Sequence, residues 1–546
     1  MEEDQRFEEL TTDFLAELYE AQPVMATAMG VHEYDDALPE ITPHAVADEL
    51  QRLRAYLHAI DGLSVPRMSP ETRIDYRLAR ANTQMAIANL EHAPYHERDS
   101  AGYADTLLYG IYLLIMREFA DPDTRGEAVL ARMRSAPRLL RQARENLGRP
   151  PRIFTEVGIE TAAGGCAFFE ETVPAFARTL RSEALREAIE DARLVVLREL
   201  ADYEEFLRHD LLARSDGSFA AGKSLFDYSL RIAHMLDEDS DALLQFGLDT
   251  AAAVERELEA LAAAIDPQRC WEEIVDDLKR QHPSPENLVE AYAAEMRRAR
   301  EFVVLRQLVG MPEEEELEVT ATPEFARGVV PYAAYTPPAP FEERQKGIFW
   351  VTPVDPRLPS DQQEAQIQGH SSFGIVVTAL HEAYPGHHLQ LTRANRVPSR
   401  LRRHFAESTL FVEGWALYCE EMMHEVGFYT DPRVRLMQLK DQLWRAHRVI
   451  VDVRLHCKGA APEEAVQYLV DEAKLEEPNA WAEVRRYAMQ PTQPMSYCMG
   501  KRLITELRSA VERKLGARFD LRRFHDDLLS YGSVPPRLIR EAMLGP

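Results

Sequence analysis

Phe373-Gly374-Ile375-Val376-Val377-Thr378-Ala379-Leu380 runs straight into His381-Glu382-Ala383-Tyr384-Pro385-Gly386-His387-His388-Leu389-Gln390. The reading of this stretch decides both the fold around it and its chemistry. An apolar run ending in His-Glu, with more histidine within two turns, is how a helix presents a divalent metal beside a general base. The familiar His-Glu-x-x-His spacing is broken here, because position 385 is Pro and the next histidines are 387 and 388.

A helix turns about 100° per residue, so ligands four apart share a face. Pro385 occupies that fourth position and removes the hydrogen bond to the His381 carbonyl, so the helix must bulge or break at Tyr384-Pro385-Gly386. Gly386 eases the detour. A two-residue insertion before Gly-His returns His387 to the place of the second ligand. An unbroken helix would put His388 on the His381 face, about 10.5 Å along the axis, a long reach for a shared ion. The spacing favours His387, with His388 as the alternative.

Zinc at a hydrolytic site takes three protein ligands and keeps a fourth position for water. The third candidate is Glu413, in Phe411-Val412-Glu413-Gly414-Trp415-Ala416-Leu417-Tyr418, an apolar helical segment where a carboxylate is expensive unless paired or metal-bound. Glu420 and Glu421 read as solvent-facing. Glu382, next to His381, is placed as the general base. The bland readings are a chance His-Glu dipeptide and an isolated half-buried Glu413; the Pro-Gly break before a His-His pair weighs against both.

The rest of the 546 residues reads mainly as helix. Phe7, Leu10, Phe14, Leu15 and Leu18 form one apolar stripe; others run through 183–212 and 241–265. At 311 the composition changes. Pro312-Glu313-Glu314-Glu315-Glu316 reads as a solvated connector, and the stretch with Pro331, Tyr332, Tyr335, Pro337, Pro338 and Pro340 cannot be continuous helix. Gly347 to Pro353 reads as a strand. The expected layout is a helical part over 1–310 and a part over 311–546 with a small sheet and metal-binding helices, the two forming one continuous globular unit.

A net charge of −28 opposes a nucleic-acid or anionic-membrane surface. The most apolar run, Leu107 to Met116, is about half the roughly twenty residues of a membrane span. The acidic start, Met1-Glu2-Glu3-Asp4, is unlike a secretory signal. Cys166, Cys270, Cys419, Cys457 and Cys498 are scattered without a Cys-x-x-Cys pair, which fits a reducing cytoplasm and buried small apolar side chains.

Taken together, His381-Glu382-x-x-Pro385-Gly386-His387-His388-x-Gln390 and Glu413-Gly414-Trp415-Ala416-Leu417-Tyr418 resemble a large bacterial family, domain of unknown function 885, grouped with gluzincin-type zinc metallopeptidases. The resemblance spans almost the whole chain. Pro23, Ala26, Thr27 and Gly30 are similar to its opening segment, and Pro491-x-Gln493-Pro494-x-Ser496-Tyr497-x-x-Gly500-Lys501 to its closing motif, with Pro494 where a small residue is expected. Gly386-His387 aligns with the Gly-His of the angiotensin-converting-enzyme and thimet-oligopeptidase motifs. The resemblance implies a large, mainly α, zincin-like fold with a small sheet beside the active-site helix. It implies one zinc per chain on His381, His387 and Glu413, Glu382 as base, and Tyr497 over the oxyanion. Arg448, Asp452 and His456 also resemble a family segment; at spacings of four they share a helix face, with Asp452 read as structural and His456 open.

The expected reaction is hydrolysis of peptide bonds in short peptides, with Ile348 to Thr352 as an edge strand that pairs with substrate. Two other readings stand beside it. One is a metal-dependent amidase acting on a small metabolite; the other is a non-catalytic helical binding protein whose insertion has abolished the site. Oligomeric state is not legible in these residues.

Overall fold

The computed structural model describes residues 2–322 and 333–545. The chain divides into two compact units. One comprises residues 2–221 with a short return at 339–343; the other comprises 222–322, 333–338 and 344–545. The composition change at 311 thus lies inside the second unit.

The first unit is built of helices. The stripe at the start becomes the helix Glu2–Ala21, burying Phe7, Phe14, Leu15 and Tyr19. The run Leu107 to Met116 lies in the helix Ser100–Met116, where Leu107, Ile111 and Leu114 are wholly buried. They pack with Met133 and Leu140 of Pro122–Asn146 and with Ile189, Val196, Leu200 and Tyr203 of Glu183–Phe206. The buried stripe of that last helix omits Leu194, which is exposed. No helix among the described residues is long and apolar enough to cross a membrane.

The second unit is mainly helical and carries a three-stranded sheet. Ser240–Ile265, capped by Asp239, buries Leu243, Gly247, Ala251, Val254, Leu258 and Ala262 along one face. That face packs on the long helix Pro432–Cys457, with Gly247 close against Val449 and Ile450. The strands are β1 (Glu316–Ala321), β2 (Ala333–Thr336) and β3 (Lys346–Val351), in the order β1-β3-β2. β1 runs parallel to β3, with Glu316 opposite Lys346, and β2 runs antiparallel to it, with Tyr335 opposite Phe349. The expected edge strand is therefore the central one. Both sides of β3 are paired, so Ile348 to Val351 cannot take up a substrate backbone. Of the Pro- and Tyr-rich stretch, Pro331 and Tyr332 lie outside the described residues, whereas Tyr335 sits in β2.

Candidate metal centre

The apolar run becomes the helix Ser372–Glu382, capped by Ser371, whose hydroxyl accepts from the Gly374 amide. It ends where Pro385 requires. Ala383 leaves helical geometry, the Tyr384–Pro385 peptide is cis, and a second helix, His387–Ala394, begins after Gly386. The Gly386 amide donates to the Leu380 carbonyl at 3.0 Å. A β-carbon at 386 would overlap the His381 carbonyl oxygen, so this detour admits only glycine. The Pro385 carbonyl accepts from Trp415 Nε1 at 2.8 Å and from Cys419 Sγ at 3.7 Å. The helix Thr409–Glu425 thereby grips the insertion itself, which fixes His381 and His387 against Glu413.

One ligand-type atom each from His381, Glu382 and His387 lies within 4.8 Å of the other two. The two imidazoles stand nearly perpendicular, at 87°, with centroids 4.8 Å apart. His381 Nδ1 is 2.7 Å from Glu420 Oε1. A carboxylate can only accept, so Nδ1 is the donor and the Nε2 lone pair is left for a cation. A carboxylate behind a ligating histidine is the common support for such a ligand. Glu420 is wholly buried, correcting its reading as solvent-facing. Glu421 is part-buried and paired with Arg435 and Lys501, each at 2.9 Å.

Glu413 lies outside the three-atom group but reaches it through His387, whose Nε2 is 3.4 Å from Glu413 Oε2. Two donors bound tetrahedrally at about 2.0–2.1 Å are themselves roughly 3.4 Å apart, so this pair has the spacing of one edge of a zinc site. His387 Nδ1 is buried without a hydrogen-bond partner among the described residues. Burial disfavours the charged forms of both side chains, yet their attraction wins. Glu413 is held down to about 2, helped by His381 and Arg448, and His387 is raised above its usual value by Glu413. A carboxylate kept ionised against two nearly buried histidines is a donor set that suits a divalent cation. Glu382 makes no hydrogen bond or ion pair with another described residue, so its oxygens are open to a water.

His388 is turned away. Its Nδ1 is 2.9 Å from the Tyr335 hydroxyl and its Nε2 is 2.8 Å from Glu315 Oε2. Both nitrogens are thus occupied by protein, which removes it as a ligand. Glu315, read as part of a solvated connector, is instead buried, and also accepts from the Tyr384 hydroxyl at 2.5 Å and from Arg300 Nε at 2.9 Å.

Tyr497 stands in the first turn of Ser496–Leu515. Its hydroxyl has no hydrogen bond to another described residue. Burial raises its pKa, opposed by Arg448 and reinforced by the Glu413 charge. Asp452 Oδ1 accepts from the Thr492 amide at 3.2 Å, and His456 Nε2 is 3.0 Å from the Tyr487 carbonyl. Burial pushes the Asp452 carboxyl well above the usual range, as expected of a structural carboxyl.

Two buried histidines, His381 and His387, and two part-buried glutamates, Glu382 and Glu413, thus gather around a broken helix in a mainly helical unit. The sequence profile described as "bacterial protein of unknown function (DUF885)" matches residues 23–543, and the chain belongs to that family. Two solved structures share the fold. A protein from Shewanella oneidensis is 24% identical with a TM-score of 0.81, over 98% of this chain and 99% of its own. A protein from Colwellia psychrerythraea is 19% identical with a TM-score of 0.86, over 100% of this chain and 99% of its own. Both carry a provisional lipoprotein label, and the first is described as of unknown function. The cytoplasmic expectation finds no support in them. No curated protein matches the chain.

Proposed function

We propose that this chain is a zincin-like metallohydrolase, related to the gluzincins, that cleaves peptide bonds in short peptides. His381, His387 and Glu413 would hold one zinc ion. The observation that carries the reading is the His387–Glu413 edge of 3.4 Å, set beside a His381 whose other nitrogen is committed to a buried carboxylate. When bound, such an ion polarises the scissile carbonyl and lowers the pKa of water.

The protein's own groups supply the rest. Glu382, unpaired and adjacent to His381, takes the proton of the attacking water and returns it to the leaving amine. The free Tyr497 hydroxyl donates to the oxyanion, a contribution of about 3 kcal/mol for a well-placed donor. Glu420 holds His381 in the tautomer that keeps Nε2 available. His381 and His387 are only 5% and 8% exposed, which favours a flexible peptide over a folded protein surface. Compartment is a separate matter: five unpaired cysteines favour a reducing one, whereas both structural neighbours carry lipoprotein labels.

Digestion of a short-peptide library by zinc-supplied protein tests the reading, with mass-spectrometric detection of products. Cleavage that disappears in Glu382→Gln supports it. Intact peptides throughout, or cleavage unchanged in the variant, would overturn it.

A further inference from the structure

The helix Pro432–Cys457 carries a group of donors that this chemistry leaves unused. Arg445 and Arg448 both lie over the Tyr497 ring, with guanidinium carbons 5.7 and 4.0 Å from its centroid. Both also lie over Trp444, at 5.8 and 5.3 Å. Arg448 is 2% exposed, and the Arg445 side chain 12%.

Buried guanidinium groups are normally paired with carboxylates, because removing an unpaired charge from water is expensive. Among the described residues neither arginine makes a hydrogen bond to a carboxylate, and Arg445 has only one loose ion pair. The nearest carboxylate oxygen to Arg445 is Glu420 Oε1, 3.6 Å from Nη2, and that oxygen already accepts from His381. Among the described residues Arg448 has one hydrogen bond, a long one of 3.5 Å from Nη2 to Gln493 Oε1. The other acids near them are engaged elsewhere: Asp441 by Lys440 at 2.8 Å, Glu483 by Arg486 at 2.6 Å, and Glu413 by His387. Arg445 Nε and Nη1, Arg448 Nε and Trp444 Nε1 are all buried with no hydrogen-bond partner among the described residues.

We propose that Arg445 and Arg448, with Trp444 Nε1, receive the C-terminal carboxylate of the substrate, so that the site acts on short peptides with a free C-terminus. This rests on the hydrolase reading, which puts the scissile carbonyl beside Tyr497, the residue both arginines overlie. A planar guanidinium matches a carboxylate, and two of them over one indole ring offer more charge-assisted donors than a neutral amide could use. A free anion such as chloride offers the same charge, but it is not tethered to the peptide and would give no selection between peptide ends.

The test is equilibrium dialysis of the Glu382→Gln protein against random tetrapeptides, prepared both as free acids and as C-terminal amides and read by mass spectrometry. About tenfold or greater enrichment of the acids is expected, as for a charge-assisted carboxylate contact. That preference should vanish in an added Arg445→Gln change and survive in part in Arg445→Lys, in proteins whose melting temperature shows them folded. Equal retention of acids and amides, no retention of either, or an acid preference untouched by Arg445→Gln and Arg448→Gln would overturn the proposal. So would saturation of the arginines by chloride or acetate with no discrimination between peptides. Cleavage of acids and amides alike leaves the hydrolase reading standing and removes this one. Acid-selective binding by a protein that takes up no metal does the reverse.

Discussion

Gly414 and Gly500 meet backbone to backbone, and their contact sets Tyr497 beside Glu413. A β-carbon on Gly500 would lie 2.8 Å from Gly414 Cα and inside the Leu410 carbonyl oxygen; one on Gly414 would lie 2.5 Å from Gly500 Cα. Neither helix can give way locally, because the obstacle is main chain. Overpacking of this kind costs about 1–3 kcal/mol. Gly500→Ala should therefore lower the melting temperature and reduce peptide cleavage while His381, His387 and Glu413, all off that helix, still bind metal. Unchanged melting and turnover would show that the close crossing is not needed.

The two adjacent histidines should behave oppositely. His387→Ala removes a proposed ligand and should lose bound zinc. His388→Ala should keep one zinc per chain but lose about 1–3 kcal/mol, because the Tyr335 hydroxyl and Glu315 each lose a buried hydrogen bond, Glu315 keeping Tyr384 and Arg300. Elemental analysis beside denaturant melts reads both; loss of zinc from the His388 variant would reverse the assignment.

Glu420 acts through His381, so its removal should show in affinity rather than in ligand count. Glu420→Ala should weaken zinc binding about 10- to 100-fold, the usual effect of removing a carboxylate behind a metal histidine. Chelator competition measures this. An affinity equal to the parent's would mean that the 2.7 Å bond only fills space in the core.

Acid should destabilise the second unit before its carboxylates titrate. Burial lowers His234, His370, His404, His447 and His525, each to about 4. The unfolded chain, with histidine near 6.5, binds these protons first, so stability is full above about pH 6.5 and falls as pH drops toward 4. Each such histidine contributes up to about 1.4 kcal/mol per pH unit in that window. Melting curves from pH 7 to 5 should shift steadily downward; a flat midpoint would mean these rings are protonated in the fold.

Much of the centre was legible because it is local. The Pro-Gly break announced its own geometry, and His387 follows from counting residues. Glu420 was also within reach: it stands seven residues after Glu413, two turns on the same face, so a buried Glu413 implied a buried Glu420. Its neighbour Glu421, which does face other charges, disguised it. Glu315 carried no such signal, because an acidic run looks solvated until a distant histidine and tyrosine fold over it. β3 was found as a strand but mistaken for an edge. The strand that covers it, Glu316–Ala321, alternates charged and apolar residues directly after the acidic run, and parallel pairing leaves no turn signature. The Arg445 and Arg448 donors left no mark in the sequence, because what sets them apart is unfilled hydrogen-bonding capacity among the described residues.

The central claim is that the broken helix holds a metal. Elemental mass spectrometry of the purified protein beside His381→Ala tests it most directly. About one zinc per chain, lost in the variant, is the predicted result. No metal in either protein, even after zinc is supplied, would contradict it and leave a helical binding protein in its place.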